Sequence, residues 1–171
     1  TPPGACRSTG GEAAVRRRDE FQLLRLHLFQ HLSVHAAELD EVGVWGGDRV
    51  GVRLSPLNSY NSMIDSDPAG LTAKVAAMLN AFNLAYLHVM RADFFRQQSG
   101  DVLTPVRANY KGTLIGNMGY TASEAAQAID EGKLDAVSFG TSFLANPDLP
   151  ARIKAGAALN KPNPATFYTP G

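Results

Sequence analysis

The sequence predicts an α/β fold on a parallel sheet, running from residue 44 to the end and preceded by a helix. Two observations carry this. Short strand-like runs alternate with helix-like segments in the order β-α-β-(α)-β-α-β-α, and such alternation implies parallel strands joined by right-handed crossovers. Two of the intervening segments also open with recognisable helix starts. Four such units make either a small open sheet or half of a (β/α)8 TIM barrel, and spacing alone does not separate these.

Taken in order, residues 1–18 are rich in Gly, Pro, Ala and Arg and end in Arg16-Arg17-Arg18, which reads as a poorly ordered, solvated arm. Residues 19–42 read as one helix: Phe21, Leu24, Leu28, Leu32 and Leu39 recur near the helical period, behind acidic Asp19 and Glu20. His27, His31 and His35 fall on one face of it; with no carboxylate arranged to join them, helix histidines are the preferred reading over a metal site. The first strand is 49–54, ended by Ser55-Pro56. A helix over 68–79 follows, with Asp67 as N-cap and Pro68 in its first turn. Strand 84–89, a polar stretch over 91–101, a short helix over 104–110 and strand 112–117 come next. Thr121-Ala122-Ser123-Glu124 then opens a helix as a capping box. Strand 136–140, a helix over 147–155 and an irregular tail complete the chain.

The 171 residues suffice for one ordinary core. With 44% hydrophobic and 19% charged residues the chain is globular in composition rather than disordered. Sixteen basic residues balance sixteen acidic ones, which removes any electrostatic case for nucleic acid or an acidic membrane as partner. Cys6 is the only cysteine, so an internal disulfide is excluded and a reducing, cytoplasmic setting is expected. No apolar run approaches the roughly 20 residues that cross a bilayer, and residues 1–11 lack the apolar stretch of a secretory signal. The chain starts at Thr1 rather than Met, as a processed product or a fragment does.

In a βα-barrel, function sits at the C-terminal ends of the strands. Four places qualify: Arg53-Leu54-Ser55-Pro56, His88-Val89-Met90, Gly116-Asn117-Met118-Gly119 and Gly140-Thr141. Glycine at a strand end lets backbone approach a ligand, and free N–H groups there attract an anion. Gly116, Asn117, Gly140 and Thr141 therefore read either as a phosphate site or as ordinary turn residues. Arg53 reads as a fixed cation at a barrel mouth or as a surface ion pair; against a flavin, such a cation meets the charge that develops at N1/O2 on reduction. His88 is a ligand contact or a satisfied core histidine.

The chain resembles the Old Yellow Enzyme family over about 125 residues. The match runs through Arg49-Val50-Gly51-Val52-Arg53-Leu54-Ser55-Pro56, Leu84-Ala85-Tyr86-Leu87-His88 and Gly116-Asn117-Met118-Gly119-Tyr120-Thr121. It continues through Phe139-Gly140-Thr141-Ser142-Phe143-Leu144-Ala145-Asn146-Pro147-Asp148-Leu149, Ala158-Leu159-Asn160 and Thr166-Phe167-Tyr168. The resemblance implies a partial TIM barrel, strands five to eight, over residues 44–171, with residues 1–43 not family-like. It implies FMN held non-covalently, NAD(P)H as co-substrate, and hydride delivery to the β-carbon of an α,β-unsaturated substrate such as an enone. By the same resemblance Arg53 contacts the isoalloxazine ring near N1/O2, Gly116 and Asn117 offer backbone to the phosphate, and Gly140 and Thr141 join them. Many relatives carry arginine where Thr141 stands.

The family's first four strands, with their substrate-binding His/Asn or His/His pair and proton-donating tyrosine, are not recognisable here, so no catalytic residue is assigned. The change of character between Glu41 and Trp45 is expected of a frameshift, a mispredicted exon or a truncated gene. Half a barrel leaves strand edges and an interior face open, so the chain alone is expected to be either marginally folded or self-associated, two halves completing a barrel by symmetry. Two readings result: an FMN oxidoreductase reducing activated alkenes, incomplete as given, or a non-catalytic half-barrel binding a phosphate ligand.

Overall fold

A computed structural model describes residues 36–167. The expected arm at 1–18, most of the expected helix at 19–42, His27, His31, His35 and Tyr168 lie outside the described residues. Four strands form one sheet in the order β1 (Gly51–Leu54), β2 (Tyr86–Met90), β3 (Leu114–Asn117), β4 (Ala136–Ser138), every neighbouring pair parallel. Helices α1 (Ala36–Trp45), α2 (Pro68–Leu79), α3 (Leu103–Asn109), α4 (Ala122–Asp130), α5 (Thr141–Ala145) and α6 (Leu149–Ala155) complete the described residues, with short 3-10 turns between them.

Local chemistry explains most boundaries. Asp67 accepts a hydrogen bond from Gly70 N–H at 2.9 Å and Pro68 occupies the first turn of α2, both as expected. Thr121 Oγ1 accepts from Glu124 N–H at 3.2 Å while Glu124 Oε2 accepts from Thr121 N–H at 2.8 Å, the reciprocal box that starts α4. Helix α1 runs on to Trp45, beyond the expected end at residue 42. Gly43 does not break it; Gly46 does, with φ +85 and its N–H bonded to the Val42 carbonyl at 3.1 Å. Strand β1 begins at Gly51 rather than Arg49, because Gly47–Arg49 closes a 3-10 turn. Helix α5 was not expected: the sequence suggests a strand continuing to Gly140, whereas β4 stops at Ser138 and the chain turns helical at once.

The sheet has two chemically different faces. Val52, Leu54, Leu87, Val89 and Leu114 alternate onto one face and are all buried. There they join Val75, Ala76 and Leu79 of α2, Val106 of α3, and Leu134 in one apolar cluster. Arg53, Tyr86, His88, Met90, Ile115 and Asn117 alternate onto the other face and are exposed or half-exposed. Burial of each aliphatic side chain on the helix face is worth roughly 1.5–3 kcal/mol, so register is held by that face alone: a slip of one residue would exchange the faces. β1 and β4 each pair on one side only among the described residues.

Leu87 and Leu114 are register partners, both 0% exposed. Leu87→Ala is expected to cost about 2–5 kcal/mol through the cavity it opens, read as a lowered urea midpoint.

Candidate functional site

The open face carries a hydrogen-bonded polar cluster. Arg53 and His88 are register partners on β1 and β2, and Asn117 and Ser138 are partners on β3 and β4, one pleat repeat further along. Arg53 Nη2 donates to Asn117 Oδ1 at 3.0 Å, and Nη1 lies 3.1 Å from His88 Nδ1. Asn117 Nδ2 donates to the Ser138 carbonyl at 3.0 Å and to its Oγ at 2.9 Å. Ser138 Oγ lies 2.9 Å from His88 Nε2. A neutral His88 with its proton on Nε2 fits the two shorter contacts: Nδ1 accepts from Arg53 and Nε2–H donates to Ser138. Burial, then the nearby Arg53 charge, lowers the His88 pKa below its ordinary 6.5 and holds it in that form. His88 is thus neither a buried core residue nor isolated; it braces Arg53. Among the described residues no carboxylate pairs with Arg53.

The two glycine turns follow β3 and β4, whose ends are adjacent through the Asn117–Ser138 pairing. Gly116 also has a packing reason to be glycine. It lies on the helix face, where an added Cβ would stand 2.4 Å from Leu134 Cδ1. The turn itself begins one residue later. Asn117 commits its side chain to Arg53 and Ser138, and its backbone carbonyl accepts from Arg91 N–H at 3.1 Å. Met118 and Gly119 both take positive φ, +84 and +70, a conformation that costs a non-glycine residue on the order of 1–3 kcal/mol. Among the described residues no acceptor meets the N–H groups of Gly119 and Tyr120. Gly140 is exposed, with nothing within 4 Å of where its Cβ would be, and Thr141 opens α5 with its hydroxyl exposed.

The loops after β1 and β2 are stapled to each other by Asp93, 5% exposed. Its Oδ1 accepts from Ser59 N–H at 3.1 Å and Phe95 N–H at 3.0 Å, and Oδ2 from Gln97 N–H at 2.8 Å and Gln98 N–H at 3.1 Å. Burial opposes its charge, but these backbone donors outweigh that and hold the carboxyl well below the usual range. Gln98 adds bonds from Nε2 to the Leu57 and Met63 carbonyls. The stapled loops present Tyr60 stacked on Phe95 at 6.0 Å, with Phe94 edge-on at 5.3 Å, all three exposed. Sequence reading treats 91–101 as a polar stretch and misses Asp93, Gln98 and the bracing Ser138. Pairs of aromatics directly after an aspartate were the available signal.

No group of three His, Cys, Asp or Glu that could hold a metal occurs among the described residues. No described helix is long and apolar enough to cross a membrane.

A four-stranded parallel βα sheet, helices on one face and a polar cluster on the other, is the architecture of a partial (β/α)8 barrel. The sequence model of the NADH:flavin oxidoreductase / NADH oxidase family matches residues 36–160, and the chain belongs to that family. It is 52% identical over 126 residues to the "probable flavin mononucleotide-dependent alkene reductase" of Leishmania infantum, covering 74% of this chain and 34% of that protein. It is 44% identical over 124 residues to a 12-oxophytodienoate reductase-like protein of Solanum lycopersicum, covering 72% and 33%. Among solved structures, the old yellow enzyme from Trypanosoma cruzi superposes with a TM-score of 0.73 at 48% identity, over 75% of this chain and 34% of that one. Morphinone reductase in complex with tetrahydroNAD superposes at 0.70 and 36% identity, over 80% and 37%. The chain thus spans about a third of the length of the relatives it matches.

Two outcomes are expected. Because folded His88 titrates below 6.5, the unfolded chain takes up a proton first as pH falls. The stability gained by keeping His88 neutral is complete above about 6.5 and is lost as pH drops below that value toward the lower folded pKa. Urea midpoints measured across this window should fall, and fall less in His88→Asn. Separately, Gly116→Ala should overpack against Leu134 and lower stability by about 1–3 kcal/mol, seen in the same unfolding assay.

Proposed function

We propose that this chain supplies the pyrimidine and phosphate side of an FMN site in an NAD(P)H-dependent oxidoreductase that reduces activated alkenes. The observation that carries the reading is Arg53: a full positive charge on the barrel face, hydrogen-bonded among the described residues only to the neutral groups of Asn117 and His88. The residues present fit the group. FMN brings an anionic phosphate and a ring that becomes negative at N1/O2; the chain offers unpaired amides at a turn and an uncompensated guanidinium.

FMN held there would supply hydride-transfer chemistry between a nicotinamide and the β-carbon of an α,β-unsaturated substrate. The rest is done by side chains. Arg53 holds positive charge where the reduced ring is negative, and its neutral neighbours fix its direction without quenching it. The Gly119 and Tyr120 amides, with those of Gly140 and Thr141, meet the phosphate. The Thr141 hydroxyl can donate to that phosphate but brings no second cation. Tyr60, Phe94 and Phe95 offer exposed apolar ring surface on the loops after β1 and β2 for a planar substrate. The proton donor and the groups that bind the activating carbonyl are not assigned to this chain. The names of its relatives, an alkene reductase and a reductase complexed with tetrahydroNAD, support the reaction class. An open sheet face with two edges unpaired among the described residues supports self-association in solution, and the single cysteine suits a cytoplasmic setting.

The test is an FMN titration followed by flavin fluorescence and the visible band. Saturable quenching with a shifted band is expected, weakened about tenfold or more in Arg53→Met, and NADPH-driven enone reduction then follows as an assay. Absence of binding at high micromolar FMN would leave the chain as a non-catalytic half-barrel.

A further inference from the structure

Arg91 takes no part in the site as described so far, yet it is the most engaged cation of the fold. It directly follows β2, where alternation puts His88 and Met90 on the open face and Arg91 on the helix face. There it lines a cleft of about 700 Å³ between α3 and α4, beside Thr104, Arg107 and Gln127. Its Nε donates to the Met118 carbonyl and its Nη2 to the Gly119 carbonyl, each at 2.9 Å. The guanidinium lies 3.6 Å over the Tyr120 ring and 3.4 Å from Glu124 Oε2, the carboxylate that also closes the capping box of α4. Its backbone N–H extends the sheet ladder to the Asn117 carbonyl at 3.1 Å.

Peptide planarity turns these contacts into a statement about the site. In a trans peptide the C=O and the following N–H point in opposite directions, and no cis peptide occurs among the described residues. Two consecutive carbonyls drawn to Arg91 on the helix side therefore send the Gly119 and Tyr120 N–H groups the other way, toward the open face. Those are the two amides that have no acceptor among the described residues. The same bonds hold Met118 in its positive-φ conformation, which the residue would otherwise leave.

We propose that Arg91 is a positioning residue for the phosphate turn, acting from behind the sheet: it fixes the Met118 and Gly119 carbonyls outward and so presents two adjacent amides to the phosphate of the flavin. This rests on the FMN reading above. A planar guanidinium is required, because Nε and Nη2 serve two carbonyls while the ring face is stacked; an ammonium cannot do all three.

Two readouts test it on the full chain, with Arg91→Met and Arg91→Lys. The first needs no flavin: backbone 15N relaxation at Gly119 and Tyr120. Wild type should show rigid order parameters near ~0.85, and both variants should fall toward ~0.6 or below. Unchanged values overturn the proposal. The second compares FMN with riboflavin, which lacks the phosphate. Wild type should prefer FMN; both variants should lose at least tenfold in FMN affinity and keep riboflavin affinity. Preference retained in Arg91→Met overturns the clamp while leaving the FMN site standing. A Lys variant that behaves as wild type reduces Arg91 to a simple charge and also overturns it. A wild type that does not distinguish the two flavins removes the phosphate site, and the proposal falls with it. Thermal unfolding of both variants checks that they fold, and Arg91→Lys keeps the test open if Arg91→Met does not.

Discussion

Everything in this fold depends on one constraint: each strand of a parallel sheet must bury one face against helices, so the other face is free to be polar. Val52, Leu54, Leu87, Val89 and Leu114 satisfy the constraint and are almost completely buried. The register they impose is what brings Arg53 opposite His88, and Asn117 opposite Ser138, on the open side. The polar cluster is thus a by-product of hydrophobic packing that it does not itself stabilise much. Exposed and half-exposed hydrogen bonds of this kind contribute little to stability; their contribution is direction. A guanidinium held by two neutral partners keeps its charge available, whereas a carboxylate in either place would have consumed it.

The same two-sidedness explains the two glycines that frame the turn after β3. Gly116 belongs to the helix face and makes room for Leu134, while Gly119 belongs to the turn and takes the left-handed conformation that follows Met118. A Gly-Asn-x-Gly pattern joins two unrelated requirements, tight packing behind the sheet and a reversed backbone in front of it. Each carbonyl that faces the helix side leaves an amide facing the other, so hydrogen bonds made behind the sheet determine what a ligand meets in front.

The parts legible in the sequence are those whose partners are near in the chain. Asp67 and Pro68 at α2, and Thr121 with Glu124 at α4, are spaced three residues or fewer from what they cap, so the signal survives without tertiary knowledge. Arg53 was legible as a cation at a strand end, and the family resemblance located it; its partners were not, because His88 is 35 and Asn117 is 64 residues away. Asp93 looks like one more charge in a polar loop until the fold brings Ser59 to it across 34 residues. The packing of Gly116 against Leu134 was not legible, since a sequence shows that a residue is small without showing which face its missing side chain would occupy. Helix α5, of five residues, is too short to display a period, and the preceding apolar run reads as strand.

The open edges set the remaining balance. A sheet of four strands with one covered face has solved half of the packing problem that a closed barrel solves entirely. Exposed on the uncovered side are Tyr86, at 39%, and the ends of β1 and β4, which present unpaired backbone groups. Water can satisfy those groups in the free chain, but a flavin ring held at the open face would need a second wall, because one covered side would leave its other face in solvent. On the FMN reading proposed above, the two ends of the ligand would have different requirements: the phosphate would need only donors from the adjacent turns after β3 and β4, while the ring would depend on whatever covers the open face.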